Sequence, residues 1–507
     1  MCIQMYLHSS PPELDRATKD YRELRDSLKI VANILDSSGA EQALVRDYRE
    51  QIIQNFQKAN VDPSKCQLEK ISAIAFFAIR CTILRRFLKQ DYRTFSILAS
   101  GHPLFQWFIR RGQFEGFIAK LSGKWLSKSS LERFDKVLPA ENVSKVIGML
   151  CSAVSGAEWQ KHLPDCPEPL SIRDIWVDST CLEVDMHYPV DWVLFRDAVR
   201  TLVKAIICLR KHGLKHRIRE PRTFLTAINK ASIEMAAVLR GQKAKLLRKR
   251  VFRKMKVIVN LVTEHAKRYR AILERERAKR TDLTEAEAAQ IKERIDSVLQ
   301  QLPAAFKQAT DRIIQNHQVS DTEKVLSLYE ADAHVIVRGK AGAKVEFGNK
   351  LYIAESRDGL IVDFELFKDR SPADSAMLKE SISRMRRTYG GLSSITADRG
   401  FDSPDNRTLL KDHQIIDRIL PKSPKKLADA FADPDFRAAQ KRRAQTEARI
   451  AILKNGFIGD RLAGKGFEHQ LIEVTWYILA HNLWVIGRVA RQAARKRSLQ
   501  QDRKKAS

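Results

Sequence analysis

Apolar positions recur every three or four residues over 21–35 and 43–56, the spacing of amphipathic helices. Residues 69–86 are nearly all apolar until Arg85-Arg86, which predicts a buried helix with a basic end. Helix continues past Leu104-Phe105-Gln106-Trp107-Phe108-Ile109-Arg110-Arg111 to about residue 154. A proline-bounded stretch, 164–169, then breaks the pattern. A strand is predicted over 172–184 and a helix over 192–211. From 212 to about 327 there is almost no strand signal, and Thr284-Glu285-Ala286-Glu287 reads as a capping box opening a helix.

Strand patterns resume at Ala333. Short runs at 335–338 and 345–347 flank the turn Gly339-Lys340-Ala341-Gly342. Runs at 351–354 and 360–366 predict a hairpin through Arg357-Asp358-Gly359. A helix over 374–389 stops at Gly390-Gly391, and a short strand at 394–397 delivers Asp398. Helices at 403–412, 436–458 and 467–494 and a strand at 415–420 complete the chain. An antiparallel start followed by β-α-β units is the RNase H-like pattern. The fold class expected is therefore α+β: an RNase H-like core with a mixed five-stranded sheet and helices, a helical N-terminal domain and a large helical insertion. The expected boundaries are 1–168 for the N-terminal DNA-binding or dimerisation domain, 169–211 with 328–490 for the core, 212–327 for the insertion and 491–507 for a basic, fraying tail.

Charge narrows the function. Lys+Arg number 90 against 61 Asp+Glu, a formal net charge of +29 over 507 residues. Such an excess favours a polyanionic partner, either nucleic acid or an anionic membrane surface. Residues 241–280 hold 15 Lys+Arg and 3 Asp+Glu, a net +12, which marks a phosphate-contacting helical region. The basic helix ends of the N-terminal part suit DNA binding, and packing or dimerisation suits them equally. The seven cysteines include no C-x-x-C pair, so neither a zinc ribbon nor a disulfide framework is expected, and a reducing cytosol fits. The first residues lack a basic-then-apolar leader, so no signal peptide is expected. The apolar stretch 471–489 is interrupted by Glu473, His481, Asn482 and Arg488 and reads as a core helix, with no membrane partner. The expected location is the cytoplasm.

Three acids carry the candidate chemistry. Asp178 and Asp398 close short apolar runs, where strands are expected to end, and Glu447 lies on a basic helix. In an RNase H-like sheet the first and fourth strands are parallel neighbours, which would set Asp178 beside Asp398. Carboxylates about 3–4 Å apart stay ionised only with a cation between them. Two Mg²⁺ ions, or Mn²⁺ in their place, would orient attacking and leaving oxygens at a phosphodiester. Arg443, Glu447 and Lys454 stand at i, i+4 and i+11, one face of a regular helix. Asp174, Glu183, Asp185, Asp191, Asp402 and Asp405 crowd the same motifs but do not close an apolar strand in the right place. Trp476 and Trp484 read as core, and His187 as a loop-ordering side chain or a contact to DNA.

These motifs resemble bacterial insertion-sequence transposases of the DDE class. Arg443-x3-Glu447-x6-Lys454 matches that group's Tyr-x2-Arg-x3-Glu-x6-Lys signature, with Gln440 at the Tyr position. Ala397-Asp398-Arg399-Gly400-Phe401 is similar to its second-acid motif and Asp178-Ser179-Thr180 to its first. His187-Tyr188-Pro189-Val190-Asp191, Arg338-Gly339-Lys340, Glu346-Phe347-Gly348-Asn349-Lys350 and Leu479-Ala480-His481-Asn482-Leu483 also resemble the group. The likeness covers 172–200 and 333–490, and the long helical insert between the two aspartates departs from it. The resemblance implies a DNA transposase acting on its own terminal inverted repeats, with Asp178, Asp398 and Glu447 as catalytic metal ligands. It implies DNA contacts from Arg443, Lys454, Arg399, Lys350 and Arg338, and a dimer or larger assembly on double-stranded element ends and target DNA. A junction-resolvase-like nuclease without strand transfer, or a non-catalytic DNA-binding relative, would share much of the pattern.

Overall fold

The computed structural model describes residues 10–13, 18–58, 62–110, 126–238, 242–321, 323–337, 345–369, 371–459 and 461–506. The N-terminal part is helical: α1 (Lys19–Ser37), α2 (Ala40–Lys58), α3 (Lys65–Phe87), α4 (Tyr92–Gly101), α5 (Pro103–Phe108), α6 (Lys128–Asp135) and α7 (Ala140–Ser155). Helix α3 starts with a capping box between Ser64 and Gln67 and runs through the middle of this group. Its basic end is not offered to a ligand. Arg85 and Arg86 are buried and both pair with Asp135, at 2.7 and 2.9 Å. Arg80 is likewise buried against Glu41 and Asp36. Of the two readings that the basic helix ends allowed, DNA binding and packing, these three arginines fit packing: a cation inside a core must be paired, and these are.

Strand β1 (Asp174–Glu183) follows, then α8 (Asp191–Lys211) and the three helices of the segment expected as an insertion: α9 (Arg222–Ala236), α10 (Gln242–Arg280) and α11 (Glu285–Ala309). The Thr284–Glu287 capping box opens α11 as its sequence predicts. These helices bury a core of their own, with Phe195, Leu202, Phe252, Val259, Tyr269 and Ile295 at its centre. Helix α8 belongs to this core, not to the sheet.

The rest of the chain builds the sheet and its covering helices: β2 (His334–Val337), β3 (Val345–Ser356), β4 (Ile361–Leu366), α12 (Asp374–Tyr389), β5 (Ser394–Ala397), α13 (Pro404–Asp412), β6 (Ile416–Ile419), α14 (Pro424–Ala432), α15 (Pro434–Ala451) and α16 (Phe467–Ala506). The sheet has six strands in the order β2-β3-β1-β5-β6, with β4 also on β3. Strands β2 and β4 pair with successive halves of the same edge of β3, so the mixed sheet is five positions wide, as expected. The runs at 345–347 and 351–354, expected as separate strands, form one continuous β3. The β3–β4 hairpin turns at Gly359, whose φ of +95° suits glycine. At Gly348 the reason for glycine is space: a Cβ would lie 1.9 Å from the Leu182 carbonyl oxygen across the β1–β3 ladder.

One core joins this sheet to the N-terminal helices. Helix α16 packs on α1, α3 and α7, and its Trp476 is buried under the Arg86 guanidinium. Asn482 on α16 both accepts from Ile361 N–H and donates to Ile361 C=O, at 2.9 and 2.8 Å, satisfying the start of β4. The tail expected to fray from 491 instead continues α16 to Ala506. Among the described residues no single helix is long and apolar enough to cross a membrane.

Candidate active site

Strands β1 and β5 are parallel neighbours in the register Asp174–Ser394, Ile175–Ile395 and Trp176–Thr396. Two residues further along each chain come Asp178 and Asp398. Neighbouring strands lie about 4.8 Å apart, so the two acids emerge side by side. Asp398 does follow the end of its strand, where its carboxylate accepts from Gly400 N–H at 2.8 Å and caps a short turn of helix. Asp178 does not end its strand. Strand β1 runs on to Glu183, because β3 continues to pair with it after β5 has turned away. The expected strand-end position of Asp178 is corrected to mid-strand.

Helix α15 crosses the face of the sheet that carries Trp176 and Asp178. The Trp176 indole N–H donates to the Ala439 carbonyl at 3.0 Å, and the Arg442 guanidinium lies 3.9 Å over the indole ring. Arg442 also reaches Glu355, fully buried on β3, and the Ser356 and Arg357 carbonyls. Arg449 adds a second cation on Glu355 at 3.4 Å. This buried ion cluster fixes how far α15 slides along the sheet. It therefore fixes where Glu447, one turn beyond Arg443, arrives.

The three acids sense one another. Burial pushes the Asp178 carboxyl up to about 6, and the negative charges of Asp398 and Glu447 add to the rise. The Ser179 N–H bond and the Arg443 charge oppose it. Among the described residues neither Asp178 nor Asp398 forms an ion pair. Glu447 is exposed and turns toward Arg443, Oε1 to Nη2 3.4 Å. Its side chain is thus held by a cation, and no group of three His, Cys, Asp or Glu side chains is gathered tightly enough among the described residues to hold a metal ion. The donor types, hard carboxylate oxygens on Asp178, Asp398 and Glu447, are those that a divalent cation such as Mg²⁺ takes.

The other expected contacts separate. Arg399 is exposed directly after Asp398. Lys454 lies beyond the regular part of α15: from Ile452 to Ile458 the winding loosens to a π-helix, so the ideal i, i+4, i+11 face is broken between Glu447 and Lys454. Lys350 sits opposite Cys181 in the β1–β3 ladder, on the face away from Asp178, where its Nζ pairs with Asp374 at 2.6 Å. Arg338 lies outside the described residues.

One neighbour of the acids escaped the sequence reading. Asp374, at the start of α12, accepts from the Ser179 hydroxyl at 3.0 Å. A Cβ on Gly400 would meet its Oδ2 at 2.8 Å and the Asp398 Oδ1 at 3.0 Å, so a fourth carboxylate stands beside Asp398. In sequence it reads only as an acid in a first helical turn. Gln440, at the Tyr position of the signature, donates its amide to the Arg418 carbonyl at 2.6 Å.

Comparison with known proteins matches residues 326–483 to the family model of the transposase DDE domain. That segment holds β2 to β6, Asp398, Gln440, Arg443, Glu447 and Lys454, while Asp178 precedes it. No curated protein and no solved structure matches the chain. With a mixed sheet that sets Asp398 beside Asp178 and a crossing helix that carries Glu447, the chain contains a transposase DDE domain, the catalytic unit of a polynucleotidyl transferase family.

Proposed function

We propose that this protein is a DNA transposase that binds the terminal inverted repeats of its own element, cuts there and joins the freed 3′-OH to target DNA. The reading is carried by the parallel β1–β5 register, which sets Asp178 beside Asp398, together with the DDE-domain match over 326–483 that holds Asp398 and Glu447. Asp178, Asp398 and Glu447 are the residues that would hold divalent metal, two Mg²⁺ ions or Mn²⁺. Bound there, such ions would supply an activated water and charge neutralisation at the leaving oxygen. Arg443 orients Glu447 and, with Arg399 and Lys454, offers cations to the DNA phosphates around the cut. The planar guanidinium of Arg443 suits a fork-like phosphate contact, and the Lys454 ammonium acts as a point charge. Because two element ends must react together, two or more subunits are expected on the DNA.

The test is cleavage and joining of a plasmid-borne copy of the element by purified protein in Mg²⁺. Asp178→Ala, Asp398→Ala and Glu447→Ala should each abolish cleavage while end binding persists. A variant that still cuts in Mg²⁺ would remove its residue from the site. Cleavage without joining would favour a nuclease that shares this fold.

A further inference from the structure

Beyond the acids, strand β1 leads into a cleft of about 750 Å³ between the β1–α8 loop, α8 and α9. His187 and Tyr188 stand in its lining with Arg196, Arg200 and Lys204 of α8 and Asn229 of α9. Among the described residues no carboxylate lines it. We infer that this cleft is a DNA-backbone subsite, holding the strand that flanks the reacting phosphate. The inference rests on the transposase reading above and assigns that activity a second, separate contact.

Spacing supports it first. Arg196, Arg200 and Lys204 follow one another at i, i+4 and i+8, so they form one stripe along α8. At 1.5 Å per residue the stripe spans about 12 Å, close to three nucleotides at roughly 3.4 Å each along one strand. Direction supports it next. Five residues of β1 separate Asp178 from Glu183, about 16 Å at 3.3 Å per residue. The cleft therefore opens beyond the C-terminal end of the strand that carries Asp178.

Rigidity supports it third. Asp191 at the start of α8 is buried and accepts from Gln308 Nε2 at 2.8 Å and Arg312 Nη1 at 2.9 Å, which pins the helix. The β1–α8 loop is tied down by Leu462 N–H on the Glu183 carbonyl, at 2.9 Å, and by Arg461 on the Met186 carbonyl, at 3.3 Å. The buried Asp197 lies 3.4 Å from Arg196 and steadies its guanidinium from beneath. Tyr188, 76% exposed, packs edge-on against Phe347 of β3 and sets a flat apolar surface at the mouth. A stripe of cations on a fixed helix suits a phosphodiester chain better than it suits a flat or globular partner.

The test uses the full-length protein and random-sequence duplex DNA over a salt series. In the Arg196→Gln/Arg200→Gln/Lys204→Gln variant the slope of log affinity against log salt should flatten by about 0.9 for each phosphate the protein no longer neutralises. The charge-preserving Arg196→Lys/Arg200→Lys/Lys204→Arg variant should keep most of the slope. Phosphate-ethylation interference should map to phosphates outside the nicked one and should disappear in the Gln variant. An unchanged slope in a variant with wild-type circular dichroism and melting overturns the inference. So does a change in sedimenting mass without a change in slope, which would make the cleft a contact between copies. If the triple variant does not fold, Lys204→Gln alone, at an exposed position, gives the same reading for one contact. Nicking of supercoiled DNA in Mg²⁺ separates the two claims. A flattened slope in a protein that never nicks keeps the subsite and sinks the transposase, and nicking with an unchanged slope does the reverse.

Discussion

Gln440 on α15 donates its side-chain amide to the Arg418 main-chain carbonyl on β6 at 2.6 Å, and the same nitrogen is 3.4 Å from the Ala397 carbonyl on β5. Ala397 immediately precedes Asp398. One amide thus ties the helix that carries Glu447 to the strand end that carries Asp398, from the position where the transposase signature places tyrosine. Gln440→Leu should remove the donor to the Arg418 carbonyl, while the Ala397 carbonyl keeps the Leu420 N–H at 3.0 Å, and should cost about 1–3 kcal/mol. Urea unfolding should register that loss. DNA cleavage should fall by more than DNA affinity, since the two acids lose their common anchor. Equal losses of both would mean that Gln440 serves only the fold.

Arg443 and Lys454 are expected to serve the reaction. A charge-assisted phosphate contact is worth about 1.5–3 kcal/mol, which, if felt in the transition state, slows the reaction by roughly 10- to 150-fold. Arg443→Ala should show such a loss with little change in melting temperature, because its partner Glu447 is exposed and the pair adds little to the fold. Lys454→Ala should lose less, since the π-helical turn moves it off the Arg443–Glu447 face. Early melting together with normal turnover of the folded fraction would show the pair to be structural.

Asp135 governs acid stability in the N-terminal helices. Burial works to raise its carboxyl, but Arg86 and Arg85 overcome this and hold it down to about 2, against an ordinary value of 3.8. A depressed carboxylate stabilises the fold above its unfolded value and loses that contribution as pH falls through its folded value. Stability should therefore decline from about pH 4 down to about pH 2. Asp135→Asn should flatten that limb. At neutral pH it should also cost about 3–5 kcal/mol, because two buried guanidinium groups lose their counter-charge. Urea titrations at several pH values would check both; an acid limb of unchanged depth in the variant would assign it to other carboxylates.

Gly348→Ala should be poorly tolerated. The added methyl would press on the Leu182 carbonyl in the ladder that sets Asp178 in register. Overpacking of this kind costs about 1–3 kcal/mol or more. Thermal melting would detect it, and a variant as stable as wild type would mean that β1 and β3 can separate there without penalty.

The long basic helix α10 exposes Lys243, Lys245, Arg250 and Arg253. Changing these four to Gln should flatten the salt dependence of DNA binding by about 0.9 for each phosphate left without its cation. No change would leave α10 a packing element whose surface charge is simply solvated.

Elements made by local chemistry were legible in the chain itself. Helix α12 ends at Gly390-Gly391, the β3–β4 hairpin turns at Gly359 and α11 opens on Thr284, each where short-range residue patterns require. The order of those elements also identified a mixed sheet with Asp178 and Asp398 on neighbouring strands, since alternating periodicities encode which segments are strands. Partners distant in sequence were not legible. Arg85 and Arg86 read as a basic helix end, and only the approach of Asp135 and Trp476 from other helices made them a buried cluster. The extent of β1 past Asp178 depends on a ladder with β3, more than 160 residues away in sequence. The placement of Glu447 rests on Arg442 and Arg449 closing over Glu355, and the loosening of the helix before Lys454 broke a face that ideal geometry had drawn. Local periodicity is written in neighbouring residues and survives in any context. Burial, register and charge pairing arise only when segments far apart in the chain exclude water from one another, so tertiary structure alone decided them.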